Sequence, residues 1–198
     1  MKKRILWCIL CACLVSTSLF AQEPALLSRV HDTEACRKWV DGQMEKMTLK
    51  QKVGQLFIYT LQPVTNQYSK NVLRKMVDDY GVGGLLFTGG ELRKQVQMTN
   101  YAQVHALVPL MVTFDGEWGL GMRLKDTPSF PYNRVLGCIQ NDSLLYEYGK
   151  EVARQCRLIG VQINFAPVAD VDNNPNNPVI NFRSFGSDPK RVAEEVAA

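Results

Sequence analysis

The sequence has few of the residues and motifs that would assign a function at once. It contains only two histidines, His31 and His105, and no metal triad or Ser-His-Asp set can be assembled around them. No GxxxxGK[ST] or GxGxxG motif occurs, so the pairs Gly83-Gly84 and Gly89-Gly90 indicate turns at strand ends and not a phosphate-binding loop. These absences argue against a metal centre, a serine hydrolase and a nucleotide-binding domain, and we expect no cofactor.

The sequence also lacks an excess of charge of one sign. The formal net charge is +4, but Lys2, Lys3 and Arg4 precede an apolar run at the amino terminus; without residues 1–21, 20 basic and 19 acidic residues remain. A basic stripe is what phosphate binding requires, so no nucleic-acid partner is predicted. The composition, 46% hydrophobic and 21% charged, is that of a globular protein and excludes intrinsic disorder.

The amino terminus is predicted to be a secretory signal peptide spanning residues 1–21. The mostly apolar run from Ile5 to Phe20 has 16 residues, fewer than the roughly 20 needed to cross a bilayer, and it follows three basic residues. Cleavage after Ala21 is expected, which predicts a periplasmic or extracellular protein with no integral membrane span. The alternative is lipoprotein anchoring, because Leu10-Cys11-Ala12-Cys13 resembles a lipoprotein box that would leave an acylated Cys13.

Cysteine usage supports neither a disulfide framework nor a zinc site. Three of the six cysteines fall within the predicted signal peptide, which leaves Cys36, Cys138 and Cys156. Their number is odd, their spacing is wide and they form no CxxC motif. The sequence therefore favours small, buried side chains at all three positions.

Four short apolar runs alternate with segments of helical periodicity. The runs are 55–59, 82–87, 109–114 and 161–168, and they are typical of strands buried on both faces of a parallel sheet. Helices are predicted over 36–47, 69–80, 91–107 and 142–159, and from about residue 188 onward. Thr48 and Gln51 form a capping box, and Gly81 and Gly160 stand where helices should end. The fold class is therefore α/β.

Alternating strands and helices make either a doubly wound sheet or a (β/α)₈ barrel. Four strand-helix units are half of such a barrel, which typically takes about 250 residues. The last predicted helix has no cap and no strand after it. We therefore expect residues 22–198 to be the amino-terminal part of a truncated domain.

Polar residues that follow the predicted strands are the candidate site, since barrel chemistry collects at the carboxyl ends of strands. Asp115 can accept charge-assisted hydrogen bonds from neighbouring hydroxyls of one sugar; the alternative is that it caps a helix or pairs with Arg123. Arg123 and Arg183 can donate to sugar hydroxyls, and the alternative for each is an ion pair at the surface or rim.

Other residues of these loops are expected to have structural roles. Asp170 and Asp172 are expected to shape loops. Trp118 is expected to pack, with stacking on a sugar ring as the alternative.

Several spaced motifs resemble glycoside hydrolase family 3. They are the stretches 115–123, 128–131, 164–170 and 183–189, in that order along the chain. The resemblance implies a (β/α)₈ barrel, of which this chain carries about four units, and a glycosidase that needs neither metal nor organic cofactor. It places the family's sugar-binding aspartate on Asp115 and two substrate arginines on Arg123 and Arg183. Trp118 departs from the glycine that many members have.

Within that family the chain resembles the β-N-acetylglucosaminidase (β-N-acetylhexosaminidase) branch, because Asn177–Arg183 replaces the Asp-Pro-Arg-Trp-Gly-Arg segment of β-glucosidases. The resemblance implies retaining hydrolysis of terminal β-linked N-acetylglucosamine, from glycans or peptidoglycan fragments. It also implies that the aspartate nucleophile, the histidine acid/base and a Lys-His pair lie beyond Ala198, so the fragment alone is expected to be inactive. The alternatives are a β-glucosidase of the same family and a non-catalytic sugar-binding module.

Overall fold

The structure, a computed structural model, describes residues 34–64 and 66–198. The predicted signal peptide and His31 lie outside the described residues. The chain divides into two units after Lys46. The described part of the first unit is helix α1 (Glu34–Lys46), which confirms the helix predicted there.

The second unit, Met47–Ala198, alternates strands and helices as predicted. Its elements are α2 (Leu49–Gly54), β1 (Ile58–Leu61), α3 (Gln67–Arg74), a π-helical turn (Lys75–Asp79), β2 (Gly84–Phe87), α4 (Leu92–His105), β3 (Met111–Phe114), a 3₁₀ turn (Leu120–Met122), α5 (Asn133–Leu136), α6 (Asp142–Leu158), β4 (Ile163–Asn164), a second 3₁₀ turn (Asn181–Arg183) and α7 (Pro189–Ala197). Over residues 34–64 and 66–198, every helix is too short or too polar to cross a membrane.

The four strands form one parallel sheet in the order β1-β2-β3-β4. Phe87 lies opposite Phe114, and Phe114 lies opposite Asn164. A doubly wound sheet reverses its strand order partway, whereas the strands of a barrel follow one another around the axis. The strand order is therefore that of half a (β/α)₈ barrel, as the sequence predicts.

The two middle strands carry the core of this unit. Leu85, Phe87, Val112 and Phe114 have no exposed surface, and side chains of α4 and α6 pack against them. Burying one such side chain contributes roughly 1.5–3 kcal/mol. This packing fixes the carboxyl end of β3, which is where Asp115 begins the next loop.

The first strand differs from the prediction. It begins at Ile58 and not at Gln55, because Gln55 is the carboxyl-terminal cap of α2 and its side-chain amide donates to the Gly81 carbonyl at 2.7 Å. Leu56 and Phe57 are 83% and 59% exposed. The prediction that all four strands are buried on both faces is wrong for β1, whose side chains are half-buried or exposed, and for β4, whose two residues are half-buried.

The predicted strand over 161–168 contains only two ladder residues, Ile163 and Asn164. Val161 is buried, but it precedes the ladder. Pro167 has no N–H with which to extend the ladder. The rest of the apolar run is a loop, and Phe165 is exposed.

The prediction that the three cysteines are buried is right for one of them. Cys156 packs in the core from α6, whereas Cys36 and Cys138 are exposed. Cys138 lies just beyond the short helix α5, where its Sγ is 3.6 Å from the Arg134 carbonyl oxygen. Cysteine is usually a buried residue, and this tendency predicts the wrong environment for Cys36 and Cys138, which lie near helix ends.

The predicted helix boundaries are confirmed where the sequence has capping chemistry. Thr48 and Gln51 form the capping box at the start of α2, and the Asp188 side chain accepts from the Lys190 N–H at 3.0 Å at the start of α7. Gly81 and Gly160 have φ of +59° and +77°, a conformation that glycine adopts without a side-chain clash. Local chemistry thus sets these ends.

Replacing Gly137 with alanine is expected to destabilise the protein by about 2 kcal/mol, because an added Cβ would lie 2.0 Å from the Phe185 backbone oxygen. Gly149→Ala is the matched control: it lies in the middle of α6 with nothing within 4 Å of the added Cβ, so it should stabilise by about 0.5–1 kcal/mol. Urea denaturation followed by circular dichroism measures both changes. Equal midpoints for the two variants would show that the loop moves aside for the Gly137 substitution.

Candidate functional site

The loop after β3 folds back on itself and joins two of the predicted site residues. Nη2 of Arg123 pairs with Oδ2 of Asp115, and Nε of Arg123 donates to the Asp115 backbone oxygen at 2.9 Å. Gly119, at φ +83°, makes the turn between them. The ion pair between Asp115 and Arg123, which the sequence analysis gave as an alternative to sugar binding, is therefore present. Within the described part of the chain, Oδ1 of Asp115 accepts no hydrogen bond, and both side chains are partly exposed.

The third predicted residue, Arg183, is held by a carboxylate that the sequence analysis did not single out. Nη2 of Arg183 donates to Oε1 of Glu117 at 2.6 Å, and Nε lies 3.1 and 3.0 Å from the two carboxylate oxygens. The Glu117 side chain is 2% exposed and the Arg183 side chain 33% exposed. Arg183 therefore forms an ion pair, but with a buried partner and not with a surface carboxylate.

Electrostatics link this second pair to the first. The hydrogen bond that Arg183 donates to Glu117 raises the pKa of Arg183 most, and the charges of Glu117, Asp115 and Asp170 raise it further. Influence of this kind requires the carboxylates to lie near the guanidinium. Asp115 and Glu117 stand two residues apart on the loop after β3, so the ion pairs that they form bring Arg123 and Arg183 to that same loop.

Side chains from two other elements hold this loop in place. The Asn164 side chain, on β4, accepts from the Gly116 N–H at 2.9 Å and donates to the Gly116 carbonyl at 3.2 Å. The Tyr148 hydroxyl, on α6, donates to the Glu117 carbonyl at 3.2 Å. The backbone around Glu117 is thereby fixed from both sides, which gives the site a preset geometry.

Burial raises the pKa of Tyr148 to about 12, from an ordinary value of 10.0. The unfolded chain then loses this proton before the folded chain does, so the contribution of Tyr148 to the free energy of unfolding is full below about pH 10 and falls between about pH 10 and 12. Tyr148→Phe should remove this part of the alkaline loss. Urea denaturation at a series of alkaline pH values measures it, with the exposed Tyr146→Phe on the same helix as control. An unchanged alkaline slope in Tyr148→Phe would contradict the assignment.

The remaining candidates have structural contacts. Asp172 pairs with Arg134, which confirms its predicted role in shaping a loop. The Asp170 backbone oxygen accepts from the Ser184 hydroxyl at 2.6 Å. Trp118 packs edge-on against Tyr132, as predicted.

Among the residues that the structure describes, no group of three His, Cys, Asp or Glu side chains is placed to hold a metal ion.

The charges of the site favour a neutral ligand. Both guanidinium groups already face carboxylates, and Asp170 adds another negative charge near Arg183. Such a site offers no net positive charge to an anion. It does offer a carboxylate oxygen that accepts from hydroxyls and partly exposed N–H groups that donate to them. Neighbouring hydroxyls on a sugar ring match this set of donors and acceptors.

Comparison with known proteins identifies relatives of the chain. The glycosyl hydrolase family 3 N-terminal domain matches residues 48–198. Beta-hexosaminidase A of Pseudoalteromonas piscicida is 30% identical over 135 residues, which cover 62% of this chain and 23% of that protein. Beta-hexosaminidase LpqI of Mycobacterium tuberculosis is 34% identical over 128 residues, which cover 62% and 33%. A beta-N-acetylglucosaminidase/beta-glucosidase of Cellulomonas fimi is 27% identical over 155 residues, which cover 78% and 27%.

Solved structures share the same architecture. A glycoside hydrolase family 3 beta-N-acetylglucosaminidase from Paenibacillus superposes with a TM-score of 0.67 at 32% identity, over 76% of this chain and 30% of that one. The beta-glucoside phosphorylase BglX superposes with a TM-score of 0.74 over 83% and 29%, but at 20% identity this likeness concerns the fold alone. The chain spans about a quarter to a third of the length of the curated relatives named above.

Proposed function

Since the chain belongs to glycosyl hydrolase family 3, we propose that the whole protein is a β-N-acetylhexosaminidase that removes terminal β-linked N-acetylglucosamine by retaining exo-hydrolysis. The observation that carries the proposal is that the ion pairs Asp115–Arg123 and Glu117–Arg183 lie on the same loop after β3, at one rim of the half barrel. The names of the relatives, most of them beta-hexosaminidases, support the choice of sugar.

In this proposal the described residues bind and orient the terminal sugar. Oδ1 of Asp115 accepts from sugar hydroxyls, and the exposed parts of Arg123 and Arg183 donate to hydroxyl oxygens. A charged acceptor makes stronger hydrogen bonds than a neutral one. Because Glu117 already holds the Arg183 guanidinium and Asn164 already holds the Gly116 backbone, little ordering is required when the sugar binds.

Retaining hydrolysis also needs a nucleophile and an acid/base. The nucleophile attacks the anomeric carbon to form a glycosyl-enzyme while the acid protonates the leaving oxygen, and water then releases the sugar. We assign neither group to residues 34–64 or 66–198 and propose that both come from chain outside the 198 residues. N-acetylglucosamine-containing glycans or peptidoglycan fragments are the proposed substrates, and no cofactor takes part.

The substrate preference of the whole protein tests the proposal. We expect nitrophenyl N-acetyl-β-glucosaminide to be hydrolysed with a kcat/KM at least about tenfold above that of nitrophenyl β-glucoside. Equal or reversed preference would support the β-glucosidase alternative. The Cellulomonas fimi relative, whose name includes both activities, is a reason to test it. Binding of N-acetylglucosamine without hydrolysis of either substrate would support a non-catalytic sugar-binding module.

A further inference from the structure

Three aromatic side chains form a row at the edge of the candidate site. The ring of Trp118 meets that of Tyr132 edge-on, with 4.7 Å between the ring centroids, and Tyr132 meets Phe182 at the same separation with the rings tilted by 46°. Tyr132 is 44% exposed and Phe182 46% exposed. We call these three residues the aromatic row.

Each residue of the aromatic row is a sequence neighbour either of a residue that contacts Arg183 or of Arg183 itself. Trp118 follows Glu117, whose carboxylate holds the Arg183 guanidinium. Tyr132 precedes Asn133, whose side-chain amide donates to the Arg183 carbonyl at 2.8 Å. Phe182 directly precedes Arg183 in the same 3₁₀ turn. Since consecutive Cα atoms are about 3.8 Å apart, the row borders the site.

The row is also preordered. Nη2 of Arg134, which follows Tyr132 by two residues, pairs with Asp172 and donates to the Asn181 carbonyl at 3.3 Å. This ties the turn that carries Phe182 to helix α5. The Trp118 carbonyl accepts from the Phe130 N–H at 3.2 Å. Because the rings are held before a ligand arrives, contact with them costs little conformational entropy.

We propose that the aromatic row is the binding subsite for the sugar on the leaving-group side of the scissile bond. The inference rests on the proposed function and extends it: the terminal sugar is held by Asp115, Arg123 and Arg183, and the next ring packs on Tyr132 and Phe182. A pyranose ring presents C–H groups on its face and hydroxyls at its edge. An exposed aromatic face with charged side chains beside it suits both parts. The row therefore selects substrates whose leaving group is itself a sugar.

Two substrates that share the terminal sugar separate this role from the rest of the site. N,N′-diacetylchitobiose has a sugar leaving group, whereas methyl N-acetyl-β-glucosaminide has a leaving group too small to reach the row. In the whole protein, Phe182→Ala and Tyr132→Ala should each lower kcat/KM for the disaccharide about fivefold, mostly through KM. Hydrolysis of the methyl glycoside should stay within about twofold. Phe182→Trp, which keeps an aromatic face, should restore the disaccharide rate.

Tyr68→Ala is the matched control, because Tyr68 is an exposed tyrosine on α3 outside the row, and it should leave both substrates unaffected. Equal losses on the two substrates in the row variants would mean that the row only supports the loop, and no loss on either would mean that it binds no sugar. Either result overturns the subsite while the proposed function stands. A wild-type protein that hydrolyses neither substrate overturns both.

Discussion

Replacing Arg183 with alanine is expected to lower the free energy of unfolding of the whole protein by about 3 kcal/mol. The substitution leaves the Glu117 carboxylate, whose side chain is 2% exposed, without its charged partner. Removing one member of a buried ion pair is costly because the other charge stays buried and uncompensated. Urea or thermal denaturation of the whole protein measures the change.

The reverse substitution should cost less. In Glu117→Gln, Arg183 keeps a hydrogen-bond acceptor and remains one-third exposed to water, so we expect a loss of about 1 kcal/mol. The double variant Glu117→Gln/Arg183→Ala should be more stable than Arg183→Ala alone, since a neutral amide is easier to bury than a carboxylate. A double variant that is less stable than Arg183→Ala would show that the pair does not govern the stability of the loop.

Asp115→Ala is expected to lower kcat/KM of the whole protein on nitrophenyl N-acetyl-β-glucosaminide by at least about tenfold. The variant loses hydrogen bonds to a charged acceptor, each worth roughly 1.5–3 kcal/mol, and one such bond already corresponds to about a factor of ten. Asp115→Asn keeps an acceptor oxygen without the charge and should lie between wild type and alanine.

Controls for this prediction come from the other ion pairs. Asp142→Ala also removes an aspartate that pairs with an arginine, Arg191 at 3.1 Å, but this pair links α6 to α7 and involves no residue of the loop after β3, so kcat/KM should stay at the wild-type value. Arg123→Ala removes the partner of Asp115, and its kcat/KM shows how much this arginine contributes. If Asp115→Ala had wild-type kinetics, its pair with Arg123 would be purely structural.

The sequence predicts well those features that depend on nearby residues. The capping box at Thr48, the glycine helix ends at Gly81 and Gly160 and the alternation of strands with helices all follow from local chemistry, and the structure confirms them. The predicted start of β1 is wrong because the apolar run 55–59 does not show that its first residue, Gln55, is the carboxyl-terminal cap of α2. Likewise, the run that contains β4 does not reveal that the ladder ends at Asn164.

The contacts within the site depend on residues far apart in the sequence. Glu117 and Arg183 are 66 positions apart, and nothing local distinguishes Glu117 from an exposed loop carboxylate. The one available sign was its place two residues after Asp115, within a loop already marked as a candidate. The aromatic row joins three separate segments, so only the fold brings its members together.

The most direct test of the account is a crystal structure of the whole protein with N-acetylglucosamine bound. We predict one sugar ring whose hydroxyls contact the Asp115 carboxylate and the guanidinium groups of both Arg123 and Arg183. A sugar bound elsewhere, with these three side chains making only the contacts they make to each other and to Glu117, would contradict the account.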